Sequence, residues 1–161
     1  MIVGLFDPHA AAQALEHQLR DALSRLGPLP GAPVVWSGGH VAAAWVPSGI
    51  PTLDEPDQPF VSGDGSVTVL FEGKIHNAAE LRSRFSAEAR HAAGSGETLV
   101  HLYAESPDRF LEPVNGKFAA AIWDARRNRL VLARDRLGIE SLFYARQEKR
   151  VLTNQSWPPA P

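Results

Sequence analysis

The chain has no cysteine. That absence excludes disulfides, thiolate zinc sites, iron–sulfur clusters and, above all, a cysteine nucleophile. Long apolar runs are missing too. The longest, such as residues 118–123, fall far below the roughly 20 residues needed to cross a bilayer. The opening MIVGLFDPHAAA lacks the basic region and extended apolar stretch of a secretory leader, so a soluble, cytoplasmic protein is expected. Excess charge of either sign is also lacking. Eighteen acids face 16 Lys and Arg, for a net charge of −2 with no basic block, which argues against nucleic acid or an anionic membrane as partner. The six histidines (His9, His17, His40, His76, His91, His101) show no HxH, HxxxH or HExxH spacing, so no metal is expected. Neither a P-loop nor GxGxxG occurs, which leaves no Gly-rich phosphate cradle, and no cofactor is expected.

What remains is 161 residues, 44% of them hydrophobic, enough for one domain with a substantial core and too few for two full ones. The pattern assigns residues 1–155 to that domain and 156–161 to a flexible Pro-rich tail, in which Trp157 is a candidate to dock on a partner. Ile2–Phe6 reads as a buried strand. Asp7-Pro8 follows as N-cap and first helical position, and Leu15, Leu19, Leu23 and Leu26 recur near helical period up to Gly27-Pro28. Short strands are expected at 34–36 and 41–46, and a surface loop at 47–64. Residues 67–71 form a strand, Asn77 and Glu80 have capping-box spacing for a short helix to Phe85, and Ser95 caps another that ends near Ser106-Pro107. The turn dipeptide Asn115-Gly116 introduces 118–123, which is apolar on both alternating faces and should be covered above and below. Further strands at 130–133, 142–145 and 151–153 complete a run of successive antiparallel strands. Pattern alone gives an α+β fold with its sheet buried on both sides.

Three segments carry a more specific signal. The first is Phe71-Glu-Gly-Lys-Ile-His-Asn77 with Glu80-Leu-Arg82. The second is Gly94-Ser-Gly-Glu-Thr98 leading into His101-Leu-Tyr-Ala-Glu105. The third is Phe110-Leu-Glu-Pro-Val-Asn-Gly-Lys-Phe-Ala-Ala-Ala-Ile-Trp-Asp124, continuing into Ala133-Arg-Asp-Arg-Leu-Gly138. In order and spacing they resemble the N-terminal class II glutamine amidotransferase domain of the asparagine synthetase family, over roughly residues 1–145. The resemblance implies the N-terminal-nucleophile hydrolase fold, a four-layer αββα sandwich of two antiparallel sheets.

It also implies a chemistry against which each residue can be compared. In the family an N-terminal Cys attacks the glutamine amide, with its own α-amino group as base. Here Met1 is followed by Ile2, which carries no nucleophilic atom. The family's oxyanion donors are an Asn side chain and the N–H of the following Gly. This chain has Glu72 and Gly73 there, and a carboxylate repels a developing oxyanion. The Asp that holds the substrate α-amino group aligns with Gly96, and the stretch expected to carry a carboxylate-binding Arg, residues 41–47, has none, with Trp45 nearest. Glu72, Gly73 and Gly96 thus remain as the remnant of a substrate pocket with no catalytic residue. The Arg134-Asp135-Arg136 stretch reads as structural in the family, and His76, in place of its usual Tyr, as packing or capping.

The reading that follows is a catalytically inactive amidotransferase-like domain, a structural or accessory module for a separate ATP-dependent amide-forming synthetase, with self-association as a further option. Two alternatives are weighed beside it. One is an active hydrolase whose Ser or Thr nucleophile is exposed by processing, for example at Gly65-Ser66 or Gly94-Ser95. The other is a small-molecule sensor that uses the remnant pocket, where Glu72 would favour a cationic or amine-bearing ligand.

Overall fold

The computed structural model describes residues 1–49, 58–85 and 94–155. Two antiparallel sheets form its centre. Strand β1 (Ile2–Phe6) is followed by helix α1 (Ala12–Arg25), β2 (Val34–Gly38) and β3 (Val41–Trp45). Then come β4 (Phe60–Val61), β5 (Val67–Ile75), α2 (Ala78–Arg82), α3 (Ser95–Glu105), β6 (Gly116–Asp124) and β7 (Arg129–Arg134). A last hairpin is made by β8 (Phe143–Gln147) and β9 (Arg150–Asn154). One sheet has the order β2-β3-β1-β9-β8 and the other β4-β5-β6-β7. The apolar segments expected after residue 115 therefore divide between two sheets: β6 pairs with β7, while the β8–β9 hairpin joins β1.

Three apolar clusters define the layers. Leu15, Leu19 and Leu23 of α1 pack on Ala42, Ala44 and Val46, on the outer face of the five-stranded sheet. Ile2, Ala43, Trp45, Leu70, Ala121 and Trp123 fill the space between the sheets. Phe71, Phe118, Ala120 and Ile122 meet α2 and α3 through Leu81, Leu99 and Tyr103. Alternation along a strand sends neighbours to opposite faces, so Phe71 and Ile122 face the helices while Leu70 and Trp123 face the other sheet. This is why 118–123 is apolar throughout. The result is an α+β sandwich with helices outside both sheets.

Local boundaries differ from expectation in instructive ways. Helix α1 begins at Ala12, with Ala11 at the N-cap and no side-chain cap. Asp7 instead closes a turn of its own, its Oδ1 accepting from the His9 N–H at 2.9 Å and its carbonyl from Ala10 at 3.1 Å. Such Asx turns compete with helix initiation. Asn77 precedes α2 without capping it. Its side chain donates to the Pro113 carbonyl and accepts from the Asn115 N–H, both at 2.9 Å, and so ties the end of β5 to the turn before β6. Ser95 is the first residue of α3 and not its cap; its Oγ accepts from the Ile75 N–H. Helix α2 stops at Arg82, three residues short of Phe85, whose ring is buried near that of His101. His76 is exposed, and its N–H donates to the Asn115 carbonyl. Residues 50–57 of the expected 47–64 loop, together with His91 and Trp157, lie outside the described residues. The end of that stretch is not all surface loop, since Gln58 and Phe60 are buried and Phe60–Val61 form β4 against β5.

Candidate functional site

Strand β1 brings the start of the chain to the junction of the two sheets. Pairing of Ile2 with Trp45 continues one residue further, where the Val46 N–H donates to the Met1 carbonyl at 2.7 Å and the Met1 α-ammonium donates to the Val46 carbonyl at 2.6 Å. The α-nitrogen then faces β5 of the other sheet. There Glu72, on the inter-sheet face next to Leu70, accepts from it on Oε2 at 2.8 Å. The same oxygen accepts from the Trp45 indole N–H at 2.9 Å. A single carboxylate oxygen thus meets one positive charge and one neutral donor.

The Met1 and Glu72 side chains are 24% and 18% exposed, so solvent screens this pair less than one at the open surface. Ile2 itself is fully buried between the sheets, and its N–H donates to the Gln155 Oε1. At the mouth of this junction is a cavity of about 330 Å³, lined by Met1, Pro30, Pro47, Glu72, Ile139 and Gln155 among others.

Neither Gly73 nor Gly96 lines that cavity. Gly73 has φ +105°, and a Cβ there would lie 2.3 Å from the Lys117 carbonyl oxygen, so the residue is required by its close approach to β6. Gly96, in the first turn of α3, sits under the ring of Phe60. A Cβ on it would come within 2.1 Å of that ring, which is itself buried. The structure therefore places Glu72 beside the chain's own amino group, Gly73 against a neighbouring strand, and Gly96 beneath an aromatic side chain.

The residues suggested for processing have settled roles. Ser66 is bound to Asp64 in the exposed turn before β5, where the Oγ and N–H of Ser66 and the Ser62 hydroxyl all donate to Oδ1. These contacts hold the Asp64 carboxyl well below its ordinary range, the Ser66 hydroxyl contributing most. Ser95 is buried. The Arg134-Asp135-Arg136 stretch is not an open anion site: Asp135 points inward to four backbone N–H groups, and Arg136 donates to the Glu112 carbonyl. Among the described residues no cluster of three His, Asp or Glu is placed to hold a metal ion.

Sequence reasoning missed Met1 as the partner of Glu72, Phe60 as the cover of Gly96, and Gln58. The side-chain amide of Gln58 pairs with both the N–H and the carbonyl of Phe71. One signal was available for the first of these. A lone carboxylate in the apolar run of β5 needs a cation or donors close by.

Two antiparallel sheets with helices on both outer sides, and the first residue held in the cleft between the sheets, define the class: this is the architecture of the N-terminal-nucleophile hydrolases. The model of the family described as glutamine amidotransferase domain matches residues 1–158, and the chain belongs to that family, in its class II form. Among curated relatives, asparagine synthetase [glutamine-hydrolyzing] 2 of Bacillus subtilis (strain 168) is 40% identical over 54% of this chain. Asparagine synthetase [glutamine-hydrolyzing] 3 of the same strain is 31% identical over 81% of it. The matches span only 12% and 22% of those proteins' own lengths. Among solved structures, glutamine phosphoribosylpyrophosphate amidotransferase from B. subtilis superimposes with a TM-score of 0.62 at 18% identity, over 94% of this chain and 41% of that one. That likeness is one of fold.

Proposed function

We propose that this chain is an amidotransferase-like domain that does not hydrolyse glutamine and serves as an accessory or interaction module for a separate ATP-dependent amide-forming synthetase. The observation that carries the reading is the state of Glu72. Hydrolysis of an amide through a tetrahedral intermediate calls for donors aimed at a developing negative oxygen, and losing one such donor typically costs about 100- to 1000-fold in rate. Glu72 offers an acceptor there, and its charge is already matched by the Met1 α-ammonium and the Trp45 indole.

Ile2 supports the same reading. Its buried side chain carries no atom able to attack a carbonyl, and its place is fixed by packing between the sheets. Phe60 over Gly96 supports it further, because the ring occupies the space beside the residue that aligns with the family's substrate-holding Asp. The cationic partner that a pocket carboxylate needs is supplied from within the chain, which weighs against an amine-sensing role. The synthetase partner is inferred from the relatives, which are asparagine synthetases by name.

The test is ammonia release from glutamine by purified protein whose intact mass corresponds to the uncleaved chain. Ammonia at the rate of buffer alone is expected, and release well above it overturns the inactive reading. The partner half is tested separately, by whether an ATP-dependent synthetase co-purifies with the tagged chain from its native host.

A further inference from the structure

Strand β8 is the outermost of its sheet. It pairs with β9 along one side and has no partner strand along the other among the described residues. Its surroundings are open as well. Tyr144, Ala145, Arg146 and Gln147 are exposed, Tyr144 to 70%. By register Tyr144 and Arg146 fall on the face that Gly4 and Phe6 share, and both are exposed. On the opposite face, Phe143, Ala145 and Leu152 border an apolar cavity of about 460 Å³ beside α1. Free edges are ordinarily blunted by proline, lysine, a bulge or a covering loop, since an open row of backbone donors and acceptors pairs readily with another strand. Phe143-Tyr-Ala-Arg-Gln147 has no proline and no lysine, and its register with β9 runs without a bulge.

We propose that β8 is a dimerisation edge: two copies of this chain join β8 to β8 antiparallel about a two-fold axis through Ala145, continuing one five-stranded sheet into ten strands. The strand's own sequence selects this partner and this register. A two-fold axis perpendicular to a pleated pair must pass through a pair of identical residues, because opposed residues share a face. At Ala145 all five residues of each strand are paired. Tyr144 then lies opposite Arg146 of the second copy on one face, twice over, an arrangement in which guanidinium and ring attract each other. On the other face Phe143 lies opposite Gln147. Moving the axis to Arg146 sets two guanidinium groups against each other, and moving it to Tyr144 or Arg146 alike leaves only three residues of each strand paired. The proposal is independent of whether the chain hydrolyses glutamine.

The absence of native cysteine makes the register directly testable. Opposed residues across an antiparallel pair have Cβ atoms about 4.5–5.5 Å apart, close to disulfide reach. Ala145→Cys in the full chain is expected to give a covalent dimer in high yield under mild oxidation. Gln147→Cys, on the same exposed face but opposed to Phe143, is expected to remain largely unlinked. Sedimentation equilibrium of the unmodified chain should return twice the mass of one chain. Arg146→Pro, which removes an N–H on the open edge while leaving the Ala145–Leu152 pairing to β9 in place, should return the single-chain mass with unchanged circular dichroism. A single-chain mass for the unmodified protein at every accessible concentration overturns the proposal. Equal cross-linking at positions 145 and 147, or none at 145 in a folded variant, overturns it as well. The cysteine pair decides the matter should the proline variant fail to fold.

Discussion

Asp135 is 5% exposed and accepts four backbone hydrogen bonds: Leu137 and Ile139 on Oδ1 at 3.1 and 3.0 Å, Phe118 and Glu140 on Oδ2 at 3.3 and 3.0 Å. Burial alone pushes its pKa up. The N–H groups, that of Ile139 foremost, outweigh burial and bring it below the ordinary carboxylate value. A group depressed in this way stabilises the fold above its unfolded pKa of about 3.9, and that stability is lost as pH falls through the folded value. Acid destabilisation is therefore expected to set in below about pH 4, read by urea unfolding at stepped pH. Asp135→Asn should cost about 2–3 kcal/mol at neutral pH, because its amide NH₂ would face N–H donors, and it should flatten the acid limb. An unchanged limb in the variant would place the acid sensitivity elsewhere, for instance at buried Asp124, which burial raises and Arg127 lowers more. The structural role of this Asp was legible from the family motif. The role of Glu72 was legible only as an anomaly, because its partner is the backbone amine of residue 1, which no side-chain pattern records.

At the scale of elements, strand type was easier to read than strand limits. The run of apolar residues located β1, β5, β6 and β7, whose apolar residues are fixed by burial on two faces. It missed β4, two residues long, because so short a segment makes no run. Yet β4 matters to the candidate site, since it carries Phe60 over α3. The contact between that ring and Gly96 predicts a coupled pair. Gly96→Ala should destabilise by about 1–3 kcal/mol through overpacking, and Phe60→Ala by about 3–5 kcal/mol through the cavity it leaves. The double variant should cost less than the sum, because the new methyl enters space the ring has vacated. Thermal or urea melts of the four proteins measure this directly, and strict additivity would mean that the two residues do not touch.

The whole molecule is held by a contact between its two ends. Strand β1 lies between β3 and β9, with Val3–Phe6 paired to residues 151–154, so one central strand of the five-stranded sheet depends on residues about 150 positions away. Local pattern could not reveal this. Pairing over such separations is fixed by burial of Ile2 and its neighbours in the shared core, after loop closure has been offset. The chain also crosses between sheets twice, from β3 to β4 and from β7 to β8, and both sheets contribute to the apolar layer between them. The two sheets should accordingly unfold together. In the full chain, the urea transitions seen by far-ultraviolet circular dichroism and by tryptophan fluorescence are expected to coincide. A chain ending at Ser141 keeps every strand of the four-stranded sheet and the four N–H groups around Asp135, but leaves β1 unpaired along one edge, with Val3 and Leu5 stripped of their neighbours on β9. It should show no cooperative transition. A sharp transition in the shortened chain would mean that the four-stranded sheet and its helices stand without the last hairpin, and that the closing of the two ends follows the fold instead of completing it.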